Sequence, residues 1–325
     1  MTGLVDVTAD RPTAGPVDRL APAHYEPERV PDVVRRFRGR PDTLAVGRPG
    51  KVGLLELGFE YVGGRTELVR RYQKSPLQIM RPLYVDPLRP DMPVTYLMST
   101  GGGIVQADRN RVDIDCGPGS AVLLTTQAAT KLHRMEFDHA TQIVNLRAEE
   151  GSYVEYLPDP LIPYRDARFY QHTRVSVDPT ATVLLGEIIA AGRLARDERH
   201  AYRMLFSDLE ITRGDDDLVV VDTVRLDPGE PGSVTGPAVF AGHDLMATLY
   251  AVSPLAPAAE IADVLHEALS DTGLAFGVSV LPDDCGAWVR ILDSDSPAVT
   301  RALHTAWDAV RRLLIGVPAP DLRKS

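Results

Sequence analysis

Hydrophobic and polar positions divide the chain into regimes. Residues 1–45 show no sustained apolar period, and Pro12, Pro16, Pro22, Pro27, Pro31 and Pro41 interrupt charged stretches. Such a segment has little apolar surface to bury. It predicts a flexible or loosely packed leader, whose run Arg35-Arg36-Phe37-Arg38-Gly39-Arg40 reads as a solvated tail rather than a contact for an acidic partner. From Val52 the pattern changes to short runs rich in β-branched and aromatic residues, punctuated by glycine and proline. Residues 53–61, 94–98, 122–126 and 154–157 are examples, and each reads as a strand bounded by turns. The runs recur to about residue 180 without the long helices that connect strands in a parallel α/β sheet. They predict a mainly β fold: one large β-rich domain over residues 46–325, of stacked or packed sheets with a few short helices.

Helical spacing comes late. Residues 182–195 form a candidate short helix, weakened by Gly186 and Gly192. Ile261, Val264, Leu265 and Leu269 recur at helical spacing within residues 258–269. The clearest helix is C-terminal: Ser296-Pro297 precede Val299, Leu303, Trp307, Val310, Leu313 and Leu314, with a stop near Gly316. A glycine-aspartate turn at residues 214–217 predicts a hairpin between strands ending near Ile211 and running through Leu218 to Val224.

Composition narrows the class. With 44% hydrophobic and 25% charged residues the chain has enough apolar material for a sizeable core. A formal net charge of −10 opposes binding to nucleic acid or anionic lipid. Cys116 and Cys285 lie far apart in no metal-ligand spacing, which indicates reduced thiols rather than disulfides or structural zinc. With no apolar stretch of about 18 residues and no apolar signal core, the expectation is a soluble, cytoplasmic protein.

Catalytic motifs are missing. Gly101-Gly102-Gly103 follow a strand, but neither GxxxxGK[ST] nor GxGxxG is completed, since Gln106 stands at the last position. No GxSxG turn occurs. His133, Glu136, Asp138 and His139 lie close in sequence but match no compact zinc motif and read as a solvated turn between strands. His133, Asp138 and Thr130 are the sole motive for a hydrolase alternative. The reading is a non-enzyme with no catalytic residues and no tightly bound cofactor.

Several segments, taken in order, resemble one family. They are Gly53-Leu54-Leu55-Glu56-Leu57, Gly64-Arg65-Thr66-Glu67-Leu68, and Ser75-Pro76-Leu77-Gln78-Ile79-Met80-Arg81-Pro82-Leu83-Tyr84. Then come Gly102-Gly103-Ile104-Val105-Gln106-Ala107-Asp108, and Leu123-Leu124-Thr125-Thr126-Gln127-Ala128-Ala129-Thr130-Lys131-Leu132-His133-Arg134. Tyr153-Val154-Glu155-Tyr156-Leu157-Pro158-Asp159-Pro160-Leu161-Ile162-Pro163-Tyr164, Gly192 to Arg199 and the tail Leu313 to Lys324 complete the series. From about residue 50 onward the chain resembles the UreD (UreH) family of urease accessory proteins. Gln106, Ala107 and Asp197 stand where the family pattern has glycine, and glycine is the residue that tolerates positive φ.

The resemblance implies a non-catalytic member of the urease maturation complex. It would bind UreF, through it the GTPase UreG, and the urease apoprotein, and assist nickel insertion. It also implies a mostly β fold with an internal polar passage for transient Ni2+. Asp108, Glu155, Glu187 and Glu198 are the candidate passage residues. Carboxylates hold nickel more weakly than imidazole or thiolate, which suits an ion that must leave again. Each also has a structural role open to it: Asp108 capping a turn, Glu155 pairing with an arginine, Glu187 and Glu198 bracing Arg193 or Arg196. The alternative is a divergent UreD-like interaction scaffold that transfers no metal and serves another complex.

Overall fold

The computed structural model describes residues 19, 21–39, 51–215 and 217–322. Its first elements are helix α1 (Asp32–Arg35) and strands β1 (Val52–Val62), β2 (Arg65–Lys74), β3 (Leu77–Gln78), β4 (Val94–Ser99), β5 (Arg109–Cys116) and β6 (Ala121–Thr126). There follow β7 (Thr130–Leu132), β8 (Ala140–Ala148), β9 (Tyr153–Tyr156), β10 (Leu161–Pro163), β11 (Arg168–Val177) and β12 (Thr182–Ala190). Next come β13 (Gly192–Arg193), β14 (Glu198–Arg199), β15 (Met204–Arg213), β16 (Asp217–Leu226) and β17 (Leu245–Val252). Helix α2 (Ala258–Ser270), β18 (Ala275–Val280), β19 (Gly286–Asp293) and helix α3 (Ser296–Ile315) close the chain.

The strands form two facing sheets. The first runs β16-β15-β11-β8-β5-β1-β2, and the second runs β18-β19-β17-β12-β9-β6-β4-β3 with β10 and β7 attached beside β12. Between β4 and β15 the chain alternates between them, with β5, β8, β11 and β15 joining the first sheet and β6, β9 and β12 the second. Neighbours in these series pair in parallel. A parallel neighbour is reached by passing through the opposite sheet. The crossover that a helix supplies in an α/β fold is therefore made of β structure, and a mainly β, solenoid-like core results.

Residues 182–190, expected as a short helix, are a strand. Val183 and Leu185 pack between the sheets while Leu184 and Ile188 pack on the helix side. With both faces buried the strand is apolar throughout, and periodicity alone does not separate such a run from a helix. Gly186 fits this setting, since a Cβ there would lie 2.9 Å from Leu157. The other two helices form as expected. The buried stripe of α2 is Ile261, Leu265 and Leu269, and that of α3 includes Val299, Trp307, Val310 and Leu314. Gly316 ends α3 in the left-handed conformation, φ 72°. The hairpin pairing of β15 with β16 also forms.

Three layers follow. An apolar core lies between the sheets, built on Leu55, Leu57, Val112, Ile114, Val144, Leu146, Val154 and Val183. A second core lies between the second sheet and helices α2 and α3. On the outer face of the first sheet lie residues 21–39 of the leader. Val34 packs there with Tyr170, Met204 and Phe206, and Glu26, Glu28 and Arg36 pair with Arg109, Arg174 and Asp227. Arg40 and the leader's other residues, apart from Arg19, lie outside the described residues.

Candidate functional site

Period-two alternation places every second side chain of the first sheet toward the second. Along four strands a polar stretch of that inward series precedes an apolar one, and on β8, β11 and β15 buried Ala140, Phe169 and Leu205 stand before it. Asn110 precedes Val112 and Ile114, Gln142 precedes Val144 and Leu146, Gln171 and Thr173 precede Val175 and Val177, and Ser207 precedes Leu209 and Ile211. Because the strands are parallel and in register, Asn110 lies beside Gln142, Gln142 beside Gln171, and Gln171 beside Ser207. The polar positions align into a row running across the strands inside the sandwich.

Two cavities follow this row. One, of about 170 Å³, lies among Asn110, Gln142, Tyr156, Thr126 and Thr130, and extends to Gly102, Gly103, Gln127 and Lys131. The other, of about 70 Å³, lies among Gln142, Gln171, Ser207 and Asp222 of the first sheet and Tyr156, Glu187, Thr248 and Tyr250 of the second. Gln142, Tyr156, Thr126 and Thr130 line both, so the cavities adjoin end to end.

The four candidate carboxylates go to four different places. Glu187 lies in the smaller cavity, where Gln171 Nε2 donates to it at 2.8 Å and Ser207 Oγ at 3.5 Å. It does not brace Arg193 or Arg196. Burial pushes its carboxyl up to about 7, opposed by the Gln171 hydrogen bond and reinforced by the charge of Asp222. Glu155 faces the helix layer instead. Fully buried, it accepts from Tyr153 Oη at 2.9 Å and lies 3.2 Å from Arg311 Nε. Arg311 also donates to Asp86 and to the Pro318 carbonyl, each at 2.8 Å. Burial raises the Glu155 pKa and Arg311 opposes the rise.

Asp108 caps its own loop, accepting from the backbone N–H of Val105 and of Lys51 at 2.9 Å each. Glu198 makes a two-pronged ion pair with Arg193, which holds its pKa below the ordinary value. Neither lines the two cavities. Sequence reasoning missed the row's own members, Asn110, Gln142, Gln171 and Ser207, and with them Thr248 and Asp222 of the smaller cavity. Their signal was a polar residue in an otherwise apolar inward series, repeated on successive strands.

Other sequence features fall elsewhere. His133 packs edge-on against Tyr164, and Asp138 accepts from the His139 backbone, so the local histidine–acid run forms no ligand set. Among the described residues, three potential metal ligands converge at His24, Glu56 and Asp113, on the outer face of the first sheet. Glu56 is already paired with Arg19, and Asp113 with Arg111. Ala107 and Asp197, standing in for family glycines, adopt φ of 61° and 55°, the left-handed conformation that glycine favours. Gln106 uses its side chain to accept from the Glu136 and Phe137 backbones at 2.6 and 2.9 Å. No helix among the described residues is long and apolar enough to cross a membrane.

The comparisons with known proteins agree with one another. The profile of the family described as UreD urease accessory protein matches residues 51–325. Urease accessory protein UreD 2 of Streptomyces griseus is 61% identical over 285 residues, covering 87% of this chain and 97% of that protein. UreD 3 of Methylorubrum populi is 35% identical, covering 88% and 93%. UreD of the archaeon Haloarcula marismortui is also 35% identical, covering 86% and 93%. With the two-sheet architecture and these matches together, the chain belongs to the UreD family of urease accessory proteins.

Proposed function

We propose that this chain is a non-catalytic scaffold of urease maturation that passes nickel through the layer between its sheets toward the urease apoprotein. It works in the cytoplasm within a complex containing UreF and, through UreF, UreG. The observation that carries the reading is the row of amides and hydroxyls from Asn110 to Ser207, with adjoining cavities that reach Glu187 and Asp222. Amide and hydroxyl oxygens replace water around a moving cation without trapping it. Two carboxylates match the charge of a divalent ion, and oxygen donors release nickel more readily than imidazole or thiolate. The lining of both cavities contains no histidine or cysteine.

Glu187 and Asp222 are the cation-holding pair in this reading. Asp108, Glu155 and Glu198 serve the scaffold through the hydrogen bonds and ion pairs described above. The test is the double substitution Glu187→Gln with Asp222→Asn, co-expressed with UreF, UreG and urease apoprotein. Equilibrium dialysis measures Ni2+ on the purified chain, size-exclusion chromatography measures assembly, and urease activity measures delivery. The expected outcome is an assembled complex with less bound nickel and reduced urease activation. Undiminished nickel binding and activation would overturn the reading. Activation by a wild-type chain that binds no nickel above surface background would identify a scaffold that reshapes urease without carrying metal.

A further inference from the structure

A cation is bonded to two of the residues that line the smaller cavity. Within the second sheet, Glu187 on β12 is in register with Thr248 on β17, and Thr248 with Arg290 on β19. These three residues therefore form a row of their own. It leads from the cavity toward the sheet edge, where Gly277 of the edge strand β18 is the residue opposite Arg290. The Arg290 guanidinium donates to Asp222 of the first sheet and, through Nε, to Thr248 Oγ1 at 3.3 Å. Asp222 and Thr248 both line the smaller cavity, so Arg290 spans the gap between the two sheets at that point.

The surroundings keep the guanidinium in place without sealing it in. Its carbon lies 5.2 Å from the centroid of the Trp288 ring, and Trp288 stacks on Tyr250 with centroids 5.7 Å apart. Tyr250 Oη in turn donates to Asp222 at 2.7 Å. The side chains of Arg290 and Asp222 are 25% and 23% exposed, so the pair reaches solvent. Charge is distributed unevenly along the passage. Asp159, Glu187 and Asp222 line the smaller cavity, whereas the charged side chain lining the larger one is that of Lys131.

We propose that Arg290 is a displaceable gate, a resident cation that holds Asp222 while the passage is empty and swings outward when a divalent cation is taken up by Asp222 and Glu187. The proposal rests on the nickel-passage reading and adds what holds Asp222 while the passage is empty. The physical basis is competition. Arg290 and Tyr250 both donate to Asp222 Oδ2, so a metal ion drawn to this carboxylate stands a few ångströms from the guanidinium, and two like charges at that distance in a partly buried setting repel strongly. A gate of this kind keeps affinity moderate, as a carrier that must release its cargo requires.

Two experiments on the full chain test it. In equilibrium dialysis with Ni2+, Arg290→Gln should tighten binding about tenfold, the equivalent of removing one modest repulsive interaction. Arg290→Lys, which keeps the charge, should remain close to wild type. The second experiment needs no variant: phenylglyoxal labelling of Arg290 in the wild-type chain, read by peptide mass spectrometry with and without Ni2+. Labelling should be several-fold faster with Ni2+ present, since displacement exposes the guanidinium. Unchanged or slower labelling, or a folded Arg290→Gln chain that binds Ni2+ no more tightly than wild type, would overturn the gate. The Glu187→Gln, Asp222→Asn chain separates the two claims. If it binds as much Ni2+ as wild type, the passage reading itself falls; if it loses Ni2+ while Arg290→Gln changes nothing, only the gate does.

Discussion

Two glutamates on the second sheet, Glu155 fully buried and Glu187 half-buried, face opposite ways and live under different rules. Glu155 on β9 points into the helix layer, where Arg311, Tyr153 and the Asp86 pair of Arg311 surround it. Glu187 on β12 points between the sheets, where its hydrogen-bond donors are the neutral side chains of Gln171 and Ser207. An acid given a fixed cationic partner joins the scaffold. An acid given neutral donors stays beside the cavity without such a partner. The difference lies in which layer the side chain enters, since the residue type is the same.

The largest effect is expected at Arg311→Met. It leaves Glu155 and Asp86 buried without their shared cation, and should cost about 3–5 kcal/mol of stability, read as a shift in the urea midpoint. A loss below about 1 kcal/mol would mean that the helix layer does not depend on the pair. Next is the pH dependence of Glu187. Its pKa is raised from 4.5 to about 7 in the folded chain, so between those values the folded state holds a proton that the unfolded state has released. Stability from this group is full below pH 4.5 and is lost as pH rises through 7. Glu187→Gln should remove that slope, making the stability change between about pH 5 and 8 smaller by about 2–3 kcal/mol than in wild type. Identical slopes in thermal melts of the two proteins would show that Glu187 titrates normally. The smallest effect is expected at Glu198→Gln. It loses a partly exposed ion pair with Arg193 worth about 1 kcal/mol, and bound Ni2+ should stay at the wild-type level in dialysis.

The β class, the hairpin at residues 214–217 and helices α2 and α3 were legible because each has one apolar face or a distinct turn. Strand β12 was not, because a strand buried on both sides carries no alternation. The same cause hid the layer that each glutamate enters. In β9 and β12 the neighbours of Glu155 and Glu187 are apolar on both faces, so parity has no reference until pairing is known. Motif resemblance drew attention to Glu187 along with three acids that hold loops and ion pairs. Asp222 and Arg290 lie outside the quoted motifs, and they become neighbours of Glu187 only through strand register and the approach of the two sheets.

The polar row also fixes a length. It runs along the hydrogen-bonding direction, perpendicular to the strands, so its extent is counted in strands and not in residues. From Asn110 on β5 to Ser207 on β15 the first sheet takes three steps, and neighbouring strands lie about 4.8 Å apart, which gives an extent of about 14 Å. Insertions in loops leave that distance untouched. Lengthening the row requires a further coil of chain through both sheets, which makes its extent a discrete property of this architecture.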